Sequence, residues 1–195
     1  MQCGSIVLFQ AERVRILRLF TAINFDDTAK DQLCEVIDLL KGSAVKGRYT
    51  RRENLHLTLV FLGEVESERA HNIKHAIDRV EEKPFTLQLT GVGRFLRESG
   101  EIFWVGAHKC QPLLSIHDQL NNRLIQAGCW VETREYKPHL TLARELQLPT
   151  GFDRGELAKQ AGAIRIPVQS IDLMKSERID GVLTYTRIHT KLLHS

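Results

Sequence analysis

Apolar positions along this chain recur with two periods, and each predicts a different element. Residues 18–25 (RLFTAINF) are dominated by aromatic and β-branched side chains, the signature of a strand. Asp26 or Asp27 then stands where a helix N-cap belongs. Leu33, Val36, Ile37 and Leu40 follow at helical spacing as far as about Lys41, and Gly42 closes the run. Residues 55–62 (LHLTLVFL) predict a second strand. Residues 67–82 predict a helix with Ala70, Ile73, Ile77 and Val80 on one face, stopped by Pro84. Strands are expected over 86–92 and 102–107, joined by a polar turn at 97–101. Leu113, Ile116, Leu120 and Leu124 line a third helix over 113–127, with Gly128 at its end. Residues 138–143 (PHLTLA) predict a strand and 151–162 a weak helix or loop. Residues 164–175 and 183–192 predict two closing strands around a turn at 177–181. The order describes an α+β chain with mostly antiparallel connections. Both halves run strand, helix, basic segment, strand, which suggests two similar lobes facing one another.

Composition narrows the class. A chain of 195 residues with 43% apolar and 26% charged positions is neither disordered, collagen-like nor a pure coiled coil. No apolar run approaches the ~18–20 residues that span a bilayer, so no membrane helix is expected. A net charge of +3 does not by itself point to nucleic acid; the clustering of charge matters more. The four cysteines, at 3, 34, 110 and 129, form no C-x-x-C pair and read as reduced thiols of a cytoplasmic protein. The short apolar stretch at 6–9 lacks a basic flank and is too short for a signal peptide. Residues 1–15 are therefore read as an extension and 16–195 as one domain.

The last strand of each half carries the same tetrapeptide. His56-Leu57-Thr58-Leu59 and His139-Leu140-Thr141-Leu142 are identical. At this composition about 0.009 such strings are expected by chance, so the pair is a signal where a bare H-x-T would be weak. On a strand, side chains alternate, so His56 and Thr58 share one face while Leu55, Leu57, Leu59 and Phe61 take the other, toward a core. His139 and Thr141 repeat the arrangement, with Leu140 and Leu142 inward. Two imidazoles with ordinary pKa values of about 6.5 suit paired acid–base work near neutrality. Threonine hydroxyls can donate to the non-bridging oxygens of a phosphoryl group. No carboxylate cluster accompanies the histidines, so this chemistry calls for no metal and no cofactor.

Two H-x-T-x motifs about 80 residues apart resemble the two-histidine phosphoesterase superfamily, and within it the RNA 2′,3′-cyclic phosphodiesterases, historically called 2′-5′ RNA ligases. The likeness covers most of residues 18–192. It rests further on Arg18-Leu19-Phe20 with Ala22-Ile23, on Glu53-Asn54-Leu55 before the first motif, on Phe61-Leu62-Gly63-Glu64 after it, and on Pro138 and Ala143-Arg144 around the second. The resemblance implies a bilobal duplicated fold, with two mostly antiparallel sheets lining a central cleft and helices outside. It also implies opening of a 2′,3′-cyclic phosphate at an RNA end to a 2′-phosphate. By residue match His56 would be the proton donor to the departing 3′ oxygen and His139 the base that activates water. Thr58 and Thr141 would hold the phosphate. The residues alone do not assign acid and base between the two histidines. Tyr49 stands where this family commonly has tryptophan, and Arg52 where proline is frequent.

Weaker signals surround the motifs. Strict alternation places Arg144 on the leucine face; it reaches the cleft to bind phosphate only if the strand ends or bulges at Ala143. Arg48, Arg51, Arg52, Arg134 and Lys137 could form a basic rim for RNA. Phe20, Tyr49, Trp104 and Tyr136 are candidates to stack on a base, although such aromatics are more often core. His71 and His75 are spaced i, i+4 but lack a third ligand and read as surface residues, as do Cys110 and His117. The expected protein is a monomeric hydrolase acting on RNA with a 2′,3′-cyclic phosphate end. The same scaffold could serve as a 2′-5′ RNA ligase or act on small cyclic nucleotides or 2′-5′ oligonucleotides. A non-catalytic RNA-binding module is the reading from another class.

Overall fold

The computed structural model describes residues 15–194. Apart from Arg15, the expected N-terminal extension lies outside the described residues. Strands and helices follow in the order β1 (Ile16–Asn24), α1 (Asp27–Ser43), β2 (Lys46–Tyr49), β3 (His56–Glu66), α2 (Ala70–Asp78), β4 (Phe85–Phe95), β5 (Glu101–Ala107), α3 (Gln111–Gln126), β6 (His139–Gln147), α4 (Gly155–Ala163), β7 (Arg165–Val168), β8 (Ser170–Ile179) and β9 (Val182–Leu192). They build a four-stranded sheet, β3-β1-β8-β9, and a five-stranded sheet, β2-β6-β5-β4-β7. All pairings are antiparallel.

The duplication read from the sequence appears as two equivalent units. In one, β1 leads through α1 to β3, which pairs back on β1; in the other, β5 leads through α3 to β6, which pairs back on β5. The lobes are nevertheless not consecutive halves of the chain. β2 leaves the first unit to edge the second sheet beside β6, while β8 and β9 return from the end of the chain to complete the first. The four-residue β2, KGRY, has no apolar alternation by which the sequence could announce it. The stretch expected as one strand over 164–175 is two, β7 in one sheet and β8 in the other. Pro167 cannot donate to a ladder, and it sits on the edge strand β7 just before the crossing. The turn expected at 177–181 is tighter: Ile179 pairs with Val182, so Asp180-Gly181 is a two-residue hairpin, and both residues have positive φ. The second helix is shorter than 67–82, because Ser67–Arg69 form a 3₁₀ turn ahead of it.

The helices follow from caps and apolar stripes. The Asp26 carboxylate accepts from the Ala29 amide at 2.8 Å and opens α1, whose Ala29, Leu33, Val36, Ile37 and Leu40 are buried. Gly128, at φ 78°, ends α3 in a Schellman turn in which the Cys129 amide donates to the Leu124 carbonyl at 2.9 Å. Buried Leu113, Ile116, Leu120 and Leu124 face inward from α3, each worth about 1.5–3 kcal/mol of burial. One continuous core draws on both sheets and all four helices. A separate small group, Phe20, Ala22 and Met174 with Tyr185, packs on the side of the first sheet that carries His56. Among the described residues no helix is long and apolar enough to cross a membrane.

Candidate active site

β3 and β6 each begin at the histidine of a motif, and each breaks its alternation at the same step. Leu57 and Leu140 are buried while His56, Thr58, His139 and Thr141 are half-buried, as period-two alternation requires. Then Leu59 and Val60 are buried in succession, and so are Leu142 and Ala143. The ladders show why. Thr21 faces Val60 and Ala22 faces Thr58, leaving Leu59 as an extra residue; Phe103 faces Ala143 and Trp104 faces Thr141, leaving Leu142 extra. One extra residue turns the side chains that follow, as far as the next register shift, to the opposite face. Arg144 therefore joins the face of His139 and Thr141, meeting the condition under which the sequence placed it in the cleft. Phe61, expected in the core, instead turns to the face of His56 and is 41% exposed. Buried Thr21 repairs the first bulge: the Val60 amide donates to its hydroxyl oxygen at 3.1 Å.

The two imidazoles are oriented alike. His56 Nδ1–H donates to the Asn54 carbonyl at 2.7 Å, and His139 Nδ1–H donates to the Lys137 carbonyl at 2.7 Å. A carbonyl can only accept, so in each neutral ring the proton sits on Nδ1 and Nε2 is left as the basic nitrogen. The His56 Nε2 lies 3.0 Å from the Thr58 hydroxyl. Aromatic rings wall both histidines. Phe20 tilts against His56 at 4.9 Å and Tyr185 meets it edge-on at 5.2 Å. Phe95 meets His139 edge-on at 5.2 Å, with Trp104 at 5.9 Å. Burial lowers the His56 pKa from its ordinary value; the Asn54 hydrogen bond opposes this, and the Arg144 charge adds to it.

Thr58, His139, Thr141 and Arg144 line one cleft of about 640 Å³ together with Phe61, Phe95, Tyr136 and His117. His56 stands behind that lining, joined to it through Thr58. Arg97, Arg134, Lys137 and Arg144 bring positive charge to the cleft, and Glu132 and Glu135 bring negative charge. Glu132 is paired with Arg134 and Glu135 with Lys109, so the unpaired charges on the lining are cationic. Of the expected basic rim, Arg134 and Lys137 are there. Arg48, Arg51 and Arg52 are not: they pair with Glu145, with Glu53, and with Asp27 and Asp31. Arg52 thus ties the turn before β3 to the start of α1. Tyr49 packs on the core beneath Lys41 rather than in the cleft. His117 is a cleft residue and not a surface one; its ring stacks on Tyr136 at 4.0 Å. Sequence reasoning also missed Phe95 and Tyr185, whose proximity to the histidines comes only from sheet order. Among the described residues no group of three or more His, Cys, Asp and Glu converges to hold a metal ion.

A profile of the 2′-5′ RNA ligase superfamily matches residues 29–180. The chain belongs to the 2′-5′ RNA ligase superfamily. Two relatives, both named RNA 2′,3′-cyclic phosphodiesterase, illustrate its place there. That of Thermotoga maritima is 32% identical over 141 residues, covering 71% of this chain and 75% of its own. That of Methanothermobacter thermautotrophicus is 27% identical over 183 residues, covering 87% of this chain and 95% of its own. The superfamily fold is equally clear in solved structures: Escherichia coli LigT complexed with 3′-AMP superposes with a TM-score of 0.78 at 26% identity, covering 93% of this chain and all of that one.

Proposed function

We propose that this chain hydrolyses terminal 2′,3′-cyclic phosphates of RNA to 2′-phosphomonoesters by metal-independent acid–base catalysis, as a single bilobal domain, monomeric and cytoplasmic. The carrying observation is the pair of identical motifs on equivalently bulged strands. Each holds a histidine whose Nδ1 is tied to a carbonyl and whose Nε2 carries no proton in the neutral ring, beside a threonine that lines a shared cleft. The names of the relatives support the substrate. Free half-buried thiols at Cys34, Cys110 and Cys129 fit a reducing compartment.

In this reading His139, which lines the open cleft, takes a proton from water through Nε2. The hydroxide formed attacks phosphorus as the bond to the 3′ oxygen breaks, and His56 gives its proton to that oxygen. The products are a 2′-phosphomonoester and a 3′ hydroxyl, with His139 protonated and His56 neutral until solvent resets them. Thr58, Thr141 and Arg144 donate to the phosphoryl oxygens where charge accumulates. His56 is suited to the donor role: its lowered pKa makes the imidazolium a stronger acid, and the substrate anion beside Arg144 offsets the charge that disfavours protonation.

The test is turnover of an oligoribonucleotide ending in a cyclic phosphate, with identification of the monoester formed. His56→Ala or His139→Ala is expected to lower kcat by about 10² to 10⁴, and EDTA to leave wild-type turnover intact. Normal hydrolysis by the double alanine variant refutes the mechanism. Joined 2′-5′ products, or binding without turnover, would replace the hydrolase reading.

A further inference from the structure

The two motif threonines are each held from behind by a hydroxyl that comes from the approach to the other motif. Tyr136, three residues before the second motif, donates its hydroxyl to the backbone carbonyl of Thr58 in the first, at 3.0 Å. Thr50, six residues before the first motif, donates its hydroxyl to the backbone carbonyl of Thr141 in the second, at 2.7 Å. Both acceptors are the residue immediately before the extra residue of a bulge, where the regular ladder is interrupted and a strand is least constrained by its neighbours. β3 is also an edge strand, so only one of its sides is fixed by pairing.

Each donor is itself held firmly. The Tyr136 ring stacks on His117 with an interplanar angle of 12°, and burial raises the phenol pKa above its ordinary value, so the hydroxyl remains a donor. The Thr50 amide donates to the Leu142 carbonyl at 2.8 Å, which pins Thr50 beside the second bulge. The contacts are reciprocal along the chain, since the lead-in to each motif grips the other motif: Tyr136 does so between the two sheets, and Thr50 by continuing the β2–β6 pairing within the second.

We infer that Tyr136 and Thr50 are positioning residues, which set the place of the Thr58 and Thr141 side chains in the cleft by holding their main-chain carbonyls. Neither hydroxyl touches the reacting atoms in this account; each acts through a threonine. For Thr58 the consequence extends further, because its hydroxyl meets His56 Nε2 at 3.0 Å. A shift of that carbonyl moves the hydroxyl and changes the hydrogen bond made to the imidazole.

The inference rests on the phosphodiesterase reading for its kinetic readout alone, and a spectroscopic readout stands apart from it. Tyr136→Phe keeps the ring and its stack but removes the donor. It is expected to lower kcat for the cyclic-phosphate oligonucleotide about tenfold, with KM within about twofold, because the loss is felt in the transition state. In the same variant the ¹⁵N resonance of His56 Nε2 is expected to move, with core amide resonances in place. Thr50→Val is expected to lower kcat similarly and Thr50→Ser to restore it. An unmoved His56 resonance in Tyr136→Phe overturns the inference whatever the turnover. So does Thr50→Ser behaving as Thr50→Val, or an unchanged kcat in Tyr136→Phe where the wild type is active. A wild type that binds but does not hydrolyse the substrate refutes the functional reading and leaves the resonance to decide this one.

Discussion

Gly93 on β4 pairs with Trp104 on β5, and the indole occupies the space a side chain at the glycine would need. A methyl group there would sit 2.8 Å from Trp104 Cε2 and closer still to Cζ2 and Cη2. Real Cβ contacts do not occur at that range, so Gly93→Ala must displace a rigid bicyclic ring. The ring has little free room. It packs on Phe95 at 5.3 Å and stands 5.9 Å from His139, while Phe95 itself meets His139 edge-on at 5.2 Å. Overpacking of this kind costs about 1–3 kcal/mol. At about 2–4 °C per kcal/mol for a chain of this size, the unfolding midpoint is expected to fall by about 2–12 °C. The displacement also carries to the active site, since a misplacement of about 1 Å at a reacting group costs up to about 10² in rate. Thermal unfolding and turnover of a cyclic-phosphate oligonucleotide measure both effects. Gly93→Ala combined with Trp104→Leu supplies the control: the smaller side chain leaves space for the methyl group, so the two changes are expected to couple by at least about 1 kcal/mol. Wild-type stability and turnover in Gly93→Ala, or strict additivity with Trp104→Leu, would refute the reasoning.

Two further outcomes follow from the motif strands. His56 is expected to titrate below an ordinary histidine by NMR. Arg144→Met is expected to raise its midpoint, because removing a neighbouring positive charge favours the imidazolium; a midpoint that stays or falls contradicts the placement of the guanidinium. Thr21→Val removes the acceptor that satisfies the buried Val60 amide at the first bulge. It is expected to cost about 1–3 kcal/mol in denaturant unfolding, with Thr21→Ser recovering most of the loss; equal stability of the valine and serine variants would show that the hydroxyl does not serve the bulge.

The elements with a regular period were the legible ones. α1 and α3 follow from Leu33, Val36, Ile37 and Leu40, and from Leu113, Ile116, Leu120 and Leu124, because burial of one face leaves a mark every three or four residues. The motif pair was legible for a different reason: two identical polar pairs on apolar strands cannot come from packing alone. What stayed hidden depends on partners distant in sequence. β2 exists because β6 offers it an edge. Tyr185 reaches His56 because β9 closes the first sheet, and Phe95 reaches His139 through the neighbouring β5.

The bulges show most sharply where a sequence pattern runs out. In LHLTLVFL the residues beyond Leu59 are apolar in both phases, so the string reads equally well with or without an extra residue, and Phe61 falls in the core or in the cleft accordingly. In PHLTLAR the ambiguity is confined to Leu142-Ala143, two apolar residues of which either could face inward, and the charge of Arg144 is the sole hint. Geometry decides both in the same way, at the same step of each copy. The duplication therefore extends beyond the four shared residues to the flip that follows them, and it fails at the side chain the flip delivers: a phenyl ring from β3, a guanidinium from β6. The two motif strands thus give the cleft one aromatic and one cationic side chain at equivalent positions. A nearly symmetric scaffold acquires two unlike sides through a difference at the fifth position after each histidine.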